Sequence, residues 1–305
     1  MEPISPELEH SFYVGNAFGS ILYGLQLYMS FYSIYLLSHN RNPKHRTPRN
    51  IYILYSVSMI ILMAFALSAN VLMGQLMWID HRNYPGGPLG YFSAQGAIWF
   101  NVLGSAADIF ADILSNALLI YRCYIIWNKS LTIIIFPSLL FLGATAMAMM
   151  ALVQSALPGS SFFVQQAVNY AVPWLSLTCG LNFLVTCLIA GRIIYFGRIG
   201  QGAFSNEAAR FYTGTVAILI ESALPFTLLG IVFAVLLGKG LPEELSFSVI
   251  WGIFVAISPQ LIILRVAMGR GWTEDTASQF GGNSTVVATD SSSTSSGKNN
   301  FYETK

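Results

Sequence analysis

Ile51–Gly74, IYILYSVSMIILMAFALSANVLMG, runs for 24 residues without a charged side chain. At about 1.5 Å of rise per residue, a helix of that length crosses a hydrocarbon layer roughly 30 Å thick. Comparable apolar runs fall at 17–38, 97–127, 131–153, 167–195, 211–237 and 247–268, separated by short polar breaks. Of the 305 residues, 54% are hydrophobic and 10% charged, where soluble domains carry roughly 25% charged residues. A chain so poor in charge cannot cover a water-soluble fold. Within lipid every backbone polar group needs a partner inside its own segment, and runs of this length leave only helices. The expected fold is all-α, a seven-transmembrane helix bundle, so the chain reads as an integral multi-pass membrane protein whose surroundings are the lipid bilayer.

Lys and Arg positions set the direction of the spans. Arg41, Lys44, Arg46 and Arg49 fill the first loop, Arg122 and Lys129 border the third, Arg192, Arg198 and Arg210 the fifth, and Arg265 and Arg270 follow the last span. Opposite these eleven stand Arg82 and Lys239. Basic residues gather on the cytosolic side, so the N-terminus is expected outside and the C-terminus in the cytosol. Residues 1–16 then form a short extracellular or lumenal segment, 17–268 the seven-helix domain, and 269–305 a cytosolic tail. That tail is rich in Ser, Thr, Gly and Asn, with a run from Ser291 to Ser296 that can accept phosphate, and its composition reads as disorder. The N-terminal MEPISPELEHSFY has no Lys or Arg, so it lacks the basic start of a cleaved signal peptide.

Asp108, Asp112 and Glu221 are the acids placed inside the spans. A carboxylate in hydrocarbon costs several kcal/mol and normally faces the bundle interior. Asp108, Asp112, Ser115, Asn116 and Arg122 recur at helical intervals, mostly three, four or seven residues, and make one polar stripe along the third span. Two acids one turn apart repel, so at least one is expected to be neutral near pH 7 or held by a cation. Two readings stay open for Asp108, Asp112, Asn116 and Glu221: a ligand, cation or proton site, or a hydrogen-bonded packing network with Asn116, Asn182 or Thr178. Arg122 is the candidate for a switch at the cytosolic side, either reaching inward toward Glu221 or extending to headgroups. Pro173, Pro225 and Pro259 lie within spans and remove a backbone donor, so each is a candidate kink. Gly15 and Gly19 form a G-x-x-x-G, followed by Gly24, that would let the first span approach a neighbour closely. In the loop from Gln75 to Gly96, Pro85-Gly86-Gly87-Pro88 is expected as the turn of a surface cap.

Enzymatic readings find little support. His10, His39, His45 and His81 all fall outside the spans, so no intramembrane metal cage is expected, nor any cofactor. The three cysteines, Cys123, Cys179 and Cys187, are an odd set within apolar runs, which is no disulfide framework. The G-x-G-D and G-x-S-G patterns of intramembrane proteases are absent, and 247–268 holds no lysine for a retinal Schiff base. A net charge of +1 gives no reason to expect nucleic acid as a partner.

Two stretches carry a resemblance. Tyr121-Arg122-Cys123-Tyr124-Ile125-Ile126-Trp127-Asn128-Lys129 closes the third span, and Ser258-Pro259-Gln260-Leu261-Ile262-Ile263-Leu264-Arg265-Val266-Ala267-Met268-Gly269-Arg270-Gly271-Trp272-Thr273 closes the seventh. With the seven-span layout they resemble an uncharacterised family of seven-helix integral membrane proteins of mushroom-forming fungi. That resemblance runs from the first span to Thr273 and implies the topology, but brings no substrate or catalytic residue. A more distant architectural likeness is to G-protein-coupled receptors. Against it, Tyr121-Arg122-Cys123 lacks an acid before the arginine, and Ser258-Pro259-Gln260-Leu261-Ile262 stands where an Asn-Pro-x-x-Tyr pattern would. The expected function is a receptor-like sensor with a polar intramembrane site, taking a small-molecule ligand or cation and meeting a cytosolic signalling partner. The alternatives are a secondary transporter or channel for a small polar solute or cation, and a scaffold without ligand. A carrier would be expected to show a continuous polar path and pseudo-symmetric halves, and the sequence shows no such halves.

Overall fold

The computed structural model describes residues 6–39, 46–157, 165–199 and 206–268. The tail with its Ser291–Ser296 run, and Arg41, Lys44 and Arg270, lie outside the described residues. The described residues form eight α-helices and no strand: α1 Pro6–His39, α2 Arg46–Gln75, α3 Gly87–Gln95, α4 Trp99–Ile126, α5 Leu131–Ser155, α6 Gln165–Ile199, α7 Asn206–Lys239 and α8 Glu244–Ala267. Six of them, α2 and α4 to α8, are long and apolar enough to cross a membrane. That is the mark of an integral multi-pass membrane protein.

α1 is long enough but falls outside those six, because Tyr23, Gln26, Tyr28, Ser30, Tyr32, Ser33 and Tyr35 interrupt its apolar run. Its helix also starts earlier than the first apolar run. Residues 6–16 are its first turns, and Phe12 and Asn16 are already buried there.

Neighbour contacts run α1 to α2, α2 to α4, α4 to α5, α5 to α6, α6 to α7, α7 to α8 and α8 back to α1, closing a ring. α4 also touches α6 and α8, so it threads the middle. Half of the apolar window of α4 and of α8 is buried inside the protein, against 22% for α5, so α5 is the peripheral helix. Leu131, Ile135, Phe136, Leu139 and Leu142 face outward from it. An apolar exposed face of this kind suits a helix whose outer surroundings are lipid.

Turns between helices are short and fixed by backbone chemistry. α7 stops where Gly240 takes a left-handed conformation (φ 63°), with the Leu241 N–H donating to the Leu236 carbonyl and the Gly240 N–H to that of Leu237. This is the terminating motif that glycine permits at no steric cost. α2 runs on into a π-helical segment, Leu76–Asp80. The Pro85–Pro88 turn, expected only as part of a cap, instead opens α3, with a proline in its first turn as helix starts allow. The rings of His81 and Tyr91 stack 4.5 Å apart, and Phe12 lies 5.6 Å from Trp78 and 5.7 Å from Phe92. α3 is thereby tied to the ends of α1 and α2.

Pro173, Pro225 and Pro259 all sit inside continuous helices, and so does a fourth, Pro137 in α5. Of the three glycines in α1, Gly15 and Gly19 meet α8, where an added Cβ would lie 2.8 Å from the Ser246 Cα and 2.6 Å from a Val249 methyl, while Gly24 faces open space. Ser11 and Ser246 are hydrogen-bonded beside this contact.

Candidate functional site

α4 carries the polar stripe into the centre of the bundle, and its two acids meet different surroundings. Asp112 is buried and fully engaged. Its Oδ1 accepts from Asn116 Nδ2 at 3.1 Å, and its Oδ2 accepts from Trp174 Nε1 at 2.9 Å and Thr178 Oγ1 at 3.3 Å. The last two donors stand one turn apart on α6, so the carboxylate joins α4 to α6. Asn116 Oδ1 remains buried without a partner.

Asp108 lies one turn away and is only half-buried because it lines a cavity of about 100 Å³. It accepts no hydrogen bond from the described residues. The cavity lies at the α3 end of the bundle, between α1, α2, α3, α4, α6, α7 and α8. Asn70, Asn101, Ser105 and Ser248 give it polar walls, and Phe12, Phe92, Trp174, Phe233 and Trp251 give it aromatic ones. Trp251 packs against Trp174 at 5.8 Å, Phe226 at 5.5 Å and Phe233 at 5.9 Å. Trp174 therefore has two jobs: its ring lines the cavity while its N–H holds Asp112.

A second, smaller pocket of about 20 Å³ sits toward the other end of α4, lined among others by Ser115, Arg122, Asn182, Ser222 and Ser258. No residue lines both pockets. Ser258 Oγ donates to the Ser222 carbonyl at 2.8 Å, linking α8 to α7. The Arg122 guanidinium lies 6.0 Å from the centre of the Tyr52 ring, at the outer limit of a cation–π contact.

The structure thus brings Asp108, Asp112 and Asn116 onto one interior face and leaves Glu221 apart. Glu221 is exposed on the outer side of α7, while its neighbour Ser222 turns inward. Arg122 and Glu221 make no ion pair among the described residues. Of the packing partners expected for Asp112, Asn116 and Thr178 hold it. Asn182 does not: its Oδ1 is buried without a partner beside the smaller pocket.

Trp174 is the residue that sequence reasoning missed. Trp174, Thr178 and Asn182 recur every four residues on α6, a polar stripe that mirrors the one on α4. A buried indole N–H needs an acceptor, and a carboxylate on the facing helix is the obvious one.

Comparison with family models, with curated proteins and with solved structures finds no match to this chain.

Proposed function

We propose that this protein is a seven-span, receptor-like sensor that binds a small ligand in the cavity beside Asp108, with its N-terminus outside and its C-terminus in the cytosol. The observation that carries the reading is the floor of that cavity. Trp174 faces the cavity with its ring and grips Asp112 with its N–H, so a ligand that displaces the ring must disturb the bond joining α4 to α6. α4 then runs from Asp112 to Arg122, ten residues and about 15 Å further along. A cytosolic signalling partner would read that end, where Arg122 lines the second pocket. Such coupling requires the ligand to favour one arrangement of the Trp174–Asp112 contact over another.

The seventh span in this reading is α1. Its 34 residues extend about 50 Å, ample for a bilayer. Part of its polar set turns inward: Gln26, Ser30 and Ser33 are wholly buried and Tyr23 donates to the Ile60 carbonyl at 3.1 Å, while Tyr28, Tyr32 and Tyr35 stay exposed. Phe18, Ile21, Leu25 and Phe31 face outward. Summed hydropathy counts the buried Gln26, Ser30 and Ser33 as if they met lipid. The surplus of Lys and Arg at the opposite end of the bundle from α3 supports the orientation.

Thiol labelling tests cavity and orientation together. Ser105 lines the cavity, so Ser105→Cys should react with a charged, membrane-impermeant methanethiosulfonate added outside intact cells, and Asn182→Cys should not. Labelling of Asn182→Cys alone would reverse the orientation.

A carrier would instead open the same route to both sides. In proteoliposomes holding the purified chain, uptake of protons, sodium or methylammonium should stay at the level of empty liposomes. Uptake clearly above it would replace the sensor with the transporter or channel.

A further inference from the structure

We infer that the cavity beside Asp108 selects small organic cations, an amine or quaternary ammonium group carried on an apolar body. The inference rests on the ligand-binding reading above and adds the chemistry of the ligand.

Among the described residues that line the cavity, Asp108 is the only ionisable one. Asp112, four residues on, has its carboxylate occupied by three donors, whereas Asp108 has none. An anion would be repelled there, and a neutral guest could pair the carboxylate only through a hydrogen bond, leaving its charge uncompensated in a low-dielectric site. A cation removes that cost.

The rest of the wall narrows the kind of cation. A small hard metal ion takes six or more oxygen ligands, but five of the lining residues are aromatic and come from five different helices. The faces of aromatic rings attract cations electrostatically, best when water is excluded, and they suit alkylated ammonium groups that cannot satisfy a shell of oxygens. Asn70, Asn101, Ser105 and Ser248 are neutral. They can orient a hydroxyl or amide on the guest without competing for its charge. Phe12 and Phe92, from α1 and α3, place two of the rings beside the aromatic cap that closes this end.

The test pairs each cation with a neutral molecule of the same shape. Purified full-length protein in nanodiscs is titrated with choline and with the analogue in which a quaternary carbon replaces its nitrogen, then with phenethylamine and phenethyl alcohol, each up to about 10 mM. Binding is read by thermal shift and by quenching of tryptophan fluorescence, since Trp174 and Trp251 line the site. At least one cation should bind about tenfold or more tightly than its neutral partner. The preference should vanish in Asp108→Asn, which keeps the shape of a side chain that forms no hydrogen bond in the fold. Phe233→Leu should weaken the cation more than the neutral molecule, and this variant keeps the inference testable if Asp108→Asn does not fold.

Equal binding of cation and neutral partner to the wild type would overturn the cation assignment and leave the ligand site standing. A shift with sodium and none with either ammonium compound would overturn it in favour of a metal ion. No binding by any probe, together with an unlabelled Ser105→Cys, would remove the ligand site itself.

Discussion

Asp112→Leu should lower the stability of the detergent-solubilised protein by about 2–4 kcal/mol, while Asp112→Asn should remain within about 1 kcal/mol of the wild type. Leucine removes the acceptor for the Trp174 indole, the Thr178 hydroxyl and the Asn116 amide at one stroke. An interhelical hydrogen bond in a membrane contributes only about 0.6 kcal/mol on average. The larger share of the loss comes from leaving the buried Trp174 indole N–H unpaired, about 1–3 kcal/mol, since the Thr178 hydroxyl can turn to a carbonyl of its own helix and the Asn116 amide can rotate. Asparagine behaves differently because its neighbour can adjust. Its amide oxygen can still accept from Trp174 and Thr178, and its new N–H group can donate to Asn116 Oδ1, which has no partner in the wild type, once the Asn116 amide rotates. Thermal unfolding of both variants checks this. If the leucine variant melts at the wild-type temperature, the network does not hold α4 to α6. A ligand response lost in the asparagine variant with stability intact would show that the charge itself serves binding.

The parts of this fold that could be read from sequence are those that repeat. Ile51–Gly74 lies within one helix because its apolar run is longer than any soluble helix requires. Asp108, Asp112 and Asn116 share a face because intervals of four and eight residues return a helix nearly to the same side. Glu221 had no such companions. A single acid in an otherwise apolar helix carries no periodic signal about direction, and the side of α7 that turns inward is marked by Ser222, whose carbonyl accepts from Ser258. α1 shows the opposite problem. Its polar residues lower the summed hydropathy although Gln26, Ser30 and Ser33 among them point inward. α3 went unseen because nine residues between Gly86 and Gly96 give too little pattern, and its position depends on ring contacts with Phe12 and His81, which are distant in sequence or in a different element. The cavity itself was beyond sequence reading, since its walls come from seven helices and no local interval connects Phe12, Asp108 and Trp251.

Gly15→Leu should be the most damaging single change in α1, costing about 3 kcal/mol or more, with Gly15→Ala at about 1–3 kcal/mol. The atoms opposite Gly15 are backbone: the Ser246 Cα at 2.8 Å and the Leu245 carbonyl oxygen at 3.2 Å from an added Cβ. Neither can swing aside as a side-chain end could, so α1 and α8 would have to move apart. That separation would strain the Ser11–Ser246 hydrogen bonds and the wall of the cavity, to which Phe12 and Leu245 contribute from the two sides of this seam. Gly19 meets a Val249 methyl instead, which can rotate, so Gly19→Ala should be milder than Gly15→Ala. Gly24 supplies the control within the same helix. A Cβ there touches nothing within 4 Å, and replacing a helical glycine generally recovers up to about 1 kcal/mol of helix propensity, so Gly24→Ala should be neutral or slightly stabilising. Melting curves and size-exclusion profiles of the five proteins give the order Gly24→Ala, Gly19→Ala, Gly15→Ala, Gly15→Leu from most to least stable, with the wild type at or just below the first. A Gly15→Leu variant as stable as Gly24→Ala would mean that α1 does not pack against α8 through these glycines, and the cavity wall built on that seam would fall with it.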